Sequence, residues 1–153
     1  MSDFRLTWGT YNADLSFEDN DLVSDDGLET AVLLSLFTDR RADEADVLPA
    51  GVTDRGGWLG DELTDIAGDK TGSRLWLLDR EKRSQRVPDR AVEYAREALK
   101  WMLDDKVTDK IDVSAVFLGT NGWALIVAIH RPKVDPATFR YNFNWAAQEA
   151  RVV

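Results

Sequence analysis

The sequence contains no cysteine and a single histidine among its 153 residues. Without cysteine, a disulfide scaffold and thiolate metal sites are both excluded. Because His130 is the only imidazole, a histidine-based zinc site lacks ligands. The acidic residues between Asp19 and Asp26 do not follow the Asp-x-Asp-x-Asp-Gly spacing of a calcium loop. We therefore expect neither a metal ion nor another cofactor.

Basic residues are scarce: Lys and Arg number 19 against 28 Asp and Glu, which gives a net charge of −9. Binding to nucleic acid without sequence preference needs Lys and Arg to neutralise phosphates, and an anionic membrane surface makes a similar demand. We expect neither nucleic acid nor membrane as a partner. The N-terminal residues contain no apolar run of the kind found in signal peptides. The sequence thus predicts a chain that stays in the cytoplasm or is packaged from it.

No catalytic pattern is present. His130 has no Gly-x-Ser-x-Gly elbow to work with, and no glycine loop has Walker or Rossmann spacing. Paired carboxylates could serve glycoside hydrolysis, with candidates in Glu29, Glu44, Asp61 and Glu62. In so acidic a chain, a solvated acidic surface is the stronger interpretation of these residues. We predict no catalytic residue and no enzyme activity.

The chain is organised around residues 27–38, GLETAVLLSLFT, which are apolar on all sides of a helix. This pattern predicts a short core helix under a sheet, too short to cross a membrane. The charged turn Asp39-Arg40-Arg41 follows directly. It is open to two interpretations: a contact with a partner protein, or cations that stabilise the C-terminus of the helix.

The rest of the chain predicts strands and one long helix. Residues 88–104 carry an apolar stripe with helical spacing. Residues 111–118 and 123–129 flank Asn121-Gly122, a strong hairpin signal, and the second of these strands is apolar on both faces. A last segment alternates aromatic with polar residues, its aromatic members being Phe139, Tyr141, Phe143 and Trp145.

From these elements we predict an α+β fold in one domain spanning residues 1–153. Its mixed or antiparallel sheet has about four to six strands packed against two to three helices, with a C-terminal β-hairpin plus an edge strand. The glycine-rich residues 40–61 form a long loop. Trp58 within the loop is either an aromatic plug against the core or an anchor for a partner, since tryptophan is enriched at interface hot spots.

Four segments resemble one known family. DGLETAVLLSLFTDRRA (26–42), RGGWLGDE (55–62), GSRLWLLDREK (72–82) and AREALKWMLDD (95–105) are similar to the baseplate wedge family of Mu-like phages and prophages, the type of the phage Mu gene 46 product. The resemblance spans residues 21–144. The family is itself similar to the small wedge protein of T-even baseplates and to its relative in type VI secretion.

The resemblance implies a structural component of a contractile-tail baseplate that mediates wedge assembly and sheath initiation. The implied partners are other wedge subunits, tail sheath and spike or hub proteins. The implied location is the virion tail baseplate, after assembly in the host cytoplasm. A T-even relative has been called a lysozyme, so a tail-associated peptidoglycan-cleaving glycosidase is the alternative, although no lysozyme active-site pattern maps onto this sequence. A host-derived binding module on the same fold is a third possibility.

The resemblance also implies contact residues. The wider superfamily uses a Glu-Pro-Arg motif in wedge contacts, and the matching place here is Asp104-Asp105-Lys106. Proline is lost, and lysine cannot form the bidentate fork of arginine. In the superfamily the C-terminal strands exchange between subunits, which implies the same for residues 138–145. We predict that a chain shortened before Pro136 stays folded but no longer joins its partners; unfolding would instead indicate a strand that covers its own core.

Overall fold

The computed structural model describes residues 3–4, 6–8, 13–15, 17–18, 21–22, 24–25, 27–65, 68, 70–78, 81, 84–120, 122–144 and 149–152. Six short strands precede the first helix and pair as antiparallel ribbons. The pairs are β1 (Asp3–Phe4) with β6 (Ser24–Asp25), β2 (Leu6–Trp8) with β3 (Ala13–Leu15), and β4 (Phe17–Glu18) with β5 (Asp21–Leu22).

The larger sheet is antiparallel and has the strand order β10-β9-β8-β7. Its strands are β7 (Lys110–Leu118), β8 (Gly122–His130), β9 (Ala137–Asn144) and β10 (Glu149–Val152). Two α-helices are described, α1 (Leu28–Phe37) and α2 (Arg86–Asp104), together with 3-10 helices at Leu59–Glu62 and Leu75–Leu78. The α+β class is confirmed, and the sheet of four strands lies at the low end of the predicted range.

The hairpin and the central strand follow the sequence pattern. Leu118 pairs with Gly122 at the turn, and β8 lies between β7 and β9 along its length. Helix α2 packs on β7 and β8, with Ala91, Ala95 and Leu99 buried in the predicted stripe. Small alanine side chains let the helix approach the sheet closely, which is why its apolar stripe disappears from solvent.

The prediction of a free edge strand at the C-terminus is wrong for residues 141–144. A further strand, β10, pairs there with β9, from Glu149 opposite Asn144 to Val152 opposite Tyr141. The side chain of Tyr141 is buried, and Phe139 and Phe143 pack on the core from the same face of the sheet. Trp145 lies outside the described residues. Truncation before Pro136 would remove β9, one of the two neighbours of β8, and would remove Tyr141 from the core. The structure therefore predicts that the shortened chain unfolds.

Helix α1 is a core element, as predicted, but it is not buried on all sides. Val32, Leu33 and Leu36 are buried, whereas the side chain of Leu34 is 49% exposed. Ser35 takes a buried position instead: its hydroxyl donates to the carbonyl of Ala31 and accepts from a tryptophan indole of α2 at 3.0 Å. A hydroxyl with its hydrogen bonds satisfied can be buried at little cost. Ser35 can therefore take the buried position, and the neighbouring Leu34 takes the exposed one.

Candidate functional site

The long loop after α1, residues 39–65, is fixed to the core and is called here the anchored loop. At its start, the N–H of Arg40 donates to the carbonyl of Ser73 at 2.9 Å, and the N–H of Ser73 donates to the carbonyl of Thr38 at 2.9 Å. Further on, the N–H of Ala42 donates to the carbonyl of Arg55 at 2.8 Å. These bonds give the loop a defined shape, since they satisfy backbone groups that would otherwise need water.

Gly72 makes the first of these contacts possible. Its φ of +91° lies in the left-handed region that favours glycine, and a Cβ built on it would lie 2.1 Å from the carbonyl oxygen of Thr38. The chain can therefore pass directly beside the end of α1 only with glycine at this position.

Trp76 is the aromatic plug under the anchored loop. Its indole N–H donates to the carbonyl of Arg40 at 2.8 Å, and its ring lies beneath Gly56, 3.2 Å from where a Cβ would be. Trp58 was predicted to be either this plug or a partner anchor. The first interpretation is wrong for Trp58, whose side chain is 52% exposed and folds over Gly60 at the surface.

A network of charges holds the loop against α2. The centre is Arg74: its Nη1 lies 3.0 Å from Oδ2 of Asp46, and its Nε lies 3.0 Å from Oε2 of Glu97. The guanidinium also stacks on the ring of Tyr94, 4.8 Å from the centroid. Burial by itself raises the pKa of Asp46, but the hydrogen bonds from Arg74 and from the N–H of Asp43, together with the positive charges of Arg74 and Arg90, outweigh it and hold that pKa below its ordinary value.

The residues of the charged turn predicted from the sequence have different partners in the structure. Nη2 of Arg40 lies 3.5 Å from Oε1 of Glu97, so Arg40 belongs to the network. The last turn of α1 contains no basic residue and its C-cap is Thr38, so the helix-capping interpretation of Arg40 and Arg41 is not what the structure shows. Asp39 forms a parallel bridge with Ser73, and burial raises the pKa of its carboxyl.

Arg41 and Trp58 meet in a groove of about 380 Å³ on the outer side of the anchored loop. Nη1 of Arg41 donates to the carbonyl of Gly56 at 3.2 Å, and its side-chain stem packs on Gly57. The groove is lined further by Leu59, Asp61, Glu62, Thr64, Gly68 and Lys70. Two residues predicted separately as partner contacts thus form one surface.

The exposed apolar side chains beside this groove form what we call the tip surface: Trp58, Leu59 and Leu63. They are 52%, 74% and 81% exposed. Isolated apolar residues on a surface need no explanation, but three exposed apolar residues within six positions make this surface a candidate contact site.

Comparison with known proteins places the chain in a family. A family model described as phage protein GP46 matches residues 28–136, which include the anchored loop and the groove. The chain belongs to the GP46 family of phage proteins. The "Baseplate protein gp46" of Escherichia phage Mu is 40% identical to it over 146 residues, 94% of this chain and 99% of the relative. The "Mu-like prophage FluMu protein gp46" of Haemophilus influenzae is 36% identical with the same coverage of both chains. The resemblance drawn from the sequence motifs is confirmed.

In this GP46-family chain the other predicted contacts lie away from the groove. Asp104 and Lys106 lie at the end of α2, where Asp104 pairs with Lys100 one turn earlier rather than with Lys106. Lys106 is exposed and has a φ of +57°. Phe139, Tyr141 and Phe143 face the core, as described above.

Two of the carboxylates considered for glycoside hydrolysis, Asp61 and Glu62, line the groove. Asp61 and Glu62 are neighbours on one 3-10 turn, and both carboxylate oxygens of Asp61 accept from the N–H of Thr71, at 3.0 and 3.1 Å. Within the part of the chain that the structure describes, no group of three or more His, Cys, Asp or Glu residues could hold a metal ion. The described helices include none with the length and apolar character needed to cross a membrane.

Sequence reasoning missed Arg74, Asp46 and Trp76. The partners of Arg74 lie 28 residues before it and 23 residues after it, so no local pattern marks the contact. The available signal for Trp76 was its place in the apolar run LWLL, which distinguishes it from Trp58 among glycines.

Proposed function

We propose that the chain is a structural component of a contractile-tail baseplate, which joins wedge subunits and starts sheath assembly through protein contacts. Its place is the virion tail baseplate after assembly in the host cytoplasm. The phage Mu relative is a baseplate protein by name, which supports the baseplate role. The proposal rests on one structural observation: Trp58 and Arg41 line one groove at the surface of a loop that hydrogen bonds tie to the core.

Co-purification tests the proposal. The full chain is expressed with the wedge, sheath and spike or hub proteins encoded near it, and recovery of each protein is measured. We expect Trp58→Ser and Arg41→Glu to reduce recovery of one partner by about tenfold, the effect of losing one interface anchor. Val47→Ser is the matched control, because Val47 is 80% exposed on the same loop but does not line the groove. Equal recovery by the Trp58 variant and wild type would overturn this assignment of the contact.

Arg40 is unsuited to this test, since it is paired with Glu97 within the chain. Reversal of its charge is expected to lower the melting temperature, and a loss of partner affinity would then have two causes. Arg41→Glu loses an exposed hydrogen bond to the carbonyl of Gly56 but, among the described residues, no ion pair, so its melting temperature is measured beside its partner recovery.

We propose a binding role rather than a catalytic one. The acids of the groove are adjacent on one turn, and Asp61 is occupied by the backbone of Thr71. A glycosidase needs two carboxyl groups on opposite sides of the scissile bond. Purified protein is expected to leave peptidoglycan intact in a degradation assay, and release of soluble fragments would revive the alternative of a tail-associated glycosidase.

A further inference from the structure

The tip surface lies in an acidic stretch. Between Gly56 and Asp65 the sequence GGWLGDELTD contains three acids and no lysine or arginine. Glu62 and Asp65 are exposed beside the apolar residues of the tip surface. The whole chain carries a net charge of −9, so its wider field has the same sign.

Two cations, Arg41 and Lys70, line the groove beside the tip surface. Arg41 is directed to the backbone of its own loop, where Nη1 donates to the carbonyl of Gly56 at 3.2 Å. Lys70 lines the same groove. Within residues 58–65, which carry Trp58, Leu59 and Leu63, the exposed charged residues are Glu62 and Asp65.

We propose that the tip surface binds a segment of a partner protein that carries lysine or arginine beside an apolar side chain. The apolar side chain packs on Trp58 and Leu59 while the cation faces Glu62 and Asp65. Charge complementarity of this kind fixes the orientation of a contact and speeds encounter, while a desolvated aromatic residue supplies most of the affinity. This inference rests on the proposed function, because it names the chemistry of the partner at the same surface.

Two synthetic amphipathic peptides serve as probes. They share one pattern of leucine residues and differ only in their charged positions, which are lysine in one and glutamate in the other. Binding to the full chain is measured by fluorescence anisotropy at low and at physiological salt. We expect the lysine peptide to bind at least about tenfold more tightly than the glutamate peptide, with a preference that weakens as salt rises.

Variants assign the binding to the tip surface. Trp58→Ser is expected to weaken the lysine peptide by about tenfold. The double variant Glu62→Lys with Asp65→Lys is expected to reverse the preference between the peptides. Asp109→Lys with Asp135→Lys is the matched control, since it makes the same change of charge at two exposed acids in turns outside the anchored loop. The control should keep the preference for lysine.

Absence of binding, equal binding of both peptides, or a preference that survives the Glu62 and Asp65 double variant would each overturn the inference. The baseplate role is judged separately, by whether the wild-type chain is found in purified tail particles. A chain present in particles that ignores the lysine peptide refutes only the partner chemistry. A chain absent from particles refutes the proposed function itself.

Discussion

Nη1 of Arg74 lies 3.1 Å from Oδ1 and 3.0 Å from Oδ2 of Asp46. This one nitrogen therefore joins the residue that precedes the 3-10 helix Leu75–Leu78 to the anchored loop. The side chains of Arg74 and Asp46 are 19% and 14% exposed. A charge that is this well covered depends on its partner, because removing one member leaves the other unpaired away from water.

Arg74→Met is expected to lower the free energy of unfolding by about 2 kcal/mol, the value of charged hydrogen bonds lost from a partly buried site. Urea denaturation measures the change. Lys100→Met is the control, because the Lys100–Asp104 pair is exposed at 67% and 58% and should cost at most about 0.5 kcal/mol. Equal losses of unfolding free energy in the two variants would mean that the Arg74 network contributes no more to stability than an exposed ion pair.

Asp46 makes stability depend on pH. Its folded pKa lies below the ordinary value of 3.8, so the carboxylate contributes its full stabilisation above that value and loses it as the pH falls through the lowered pKa. Asp46→Asn should be less stable than wild type at pH 7, by about 1 to 2 kcal/mol, and the gap should close in strongly acidic solution. Denaturation of both proteins from pH 7 to pH 2.5 checks this, with the exposed Asp135→Asn as the control. A gap that stays constant with pH would contradict the prediction.

Tyr141→Phe is expected to leave the free energy of unfolding unchanged or to raise it by up to about 1 kcal/mol. The hydroxyl is buried and, among the described residues, has no hydrogen-bond partner. Burial also raises the pKa of Tyr141.

The Tyr141 variant has a matched control in Tyr94→Phe. The hydroxyl of Tyr94 accepts from Nη2 of Arg90 at 2.9 Å, so its loss should cost about 1 kcal/mol. Thermal unfolding of the two variants gives the comparison. A Tyr141 variant that is the less stable of the two would show that its hydroxyl is satisfied.

Gly72→Ala and Gly119→Ala separate backbone strain from lack of space. Both glycines have positive φ, +91° and +58°, but a Cβ on Gly119 meets nothing within 4 Å. We expect Gly119→Ala to cost about 1 kcal/mol from the left-handed conformation alone. Gly72→Ala should cost about 2 kcal/mol more, because its methyl group would collide with the carbonyl of Thr38. Similar losses in chemical denaturation would show that α1 and Gly72 can move apart easily.

Lys106→Gly should raise the free energy of unfolding by about 0.5 to 1 kcal/mol, since φ of Lys106 is +57° at the end of α2. Lys133→Gly, with φ of +60°, is expected to stabilise the chain similarly. If Lys106 acts in the wedge contact that the family motif implies, only its variant loses partner recovery while gaining stability. Stabilisation of both variants with unchanged recovery would remove Lys106 from the contact surface.

Local patterns in the sequence were enough for the elements whose burial repeats along the chain. The stripe on α2 and the two apolar faces of β8 determine where those elements pack, because each residue's environment follows from its position in the helix or strand. The hairpin itself was predicted from Asn121-Gly122, but Gly122 is the first residue of β8 and pairs with Leu118, and the glycine with positive φ in the connection is Gly119.

Features that depend on distant parts of the chain could not be predicted from such local patterns. Whether β9 is an edge strand depends on β10, whose four residues EARV alternate polar with apolar over too short a span to predict a strand. The exposure of Leu34 depends on a tryptophan 66 residues after Ser35 that satisfies the serine hydroxyl. Arg41 and Trp58 were each identified from the sequence, but their meeting required the path of the anchored loop.

Contacts from Ser73, Arg74 and Trp76 hold the anchored loop at residues before 58, and the N–H of Thr71 holds it again at Asp61. The side chains of Trp58, Leu59 and Leu63 make none of these contacts, so mutation at these three positions leaves the contacts in place. Under the proposed role of the tip surface as a partner contact, a few substitutions there could change which protein it binds while the scaffold beneath it stays the same.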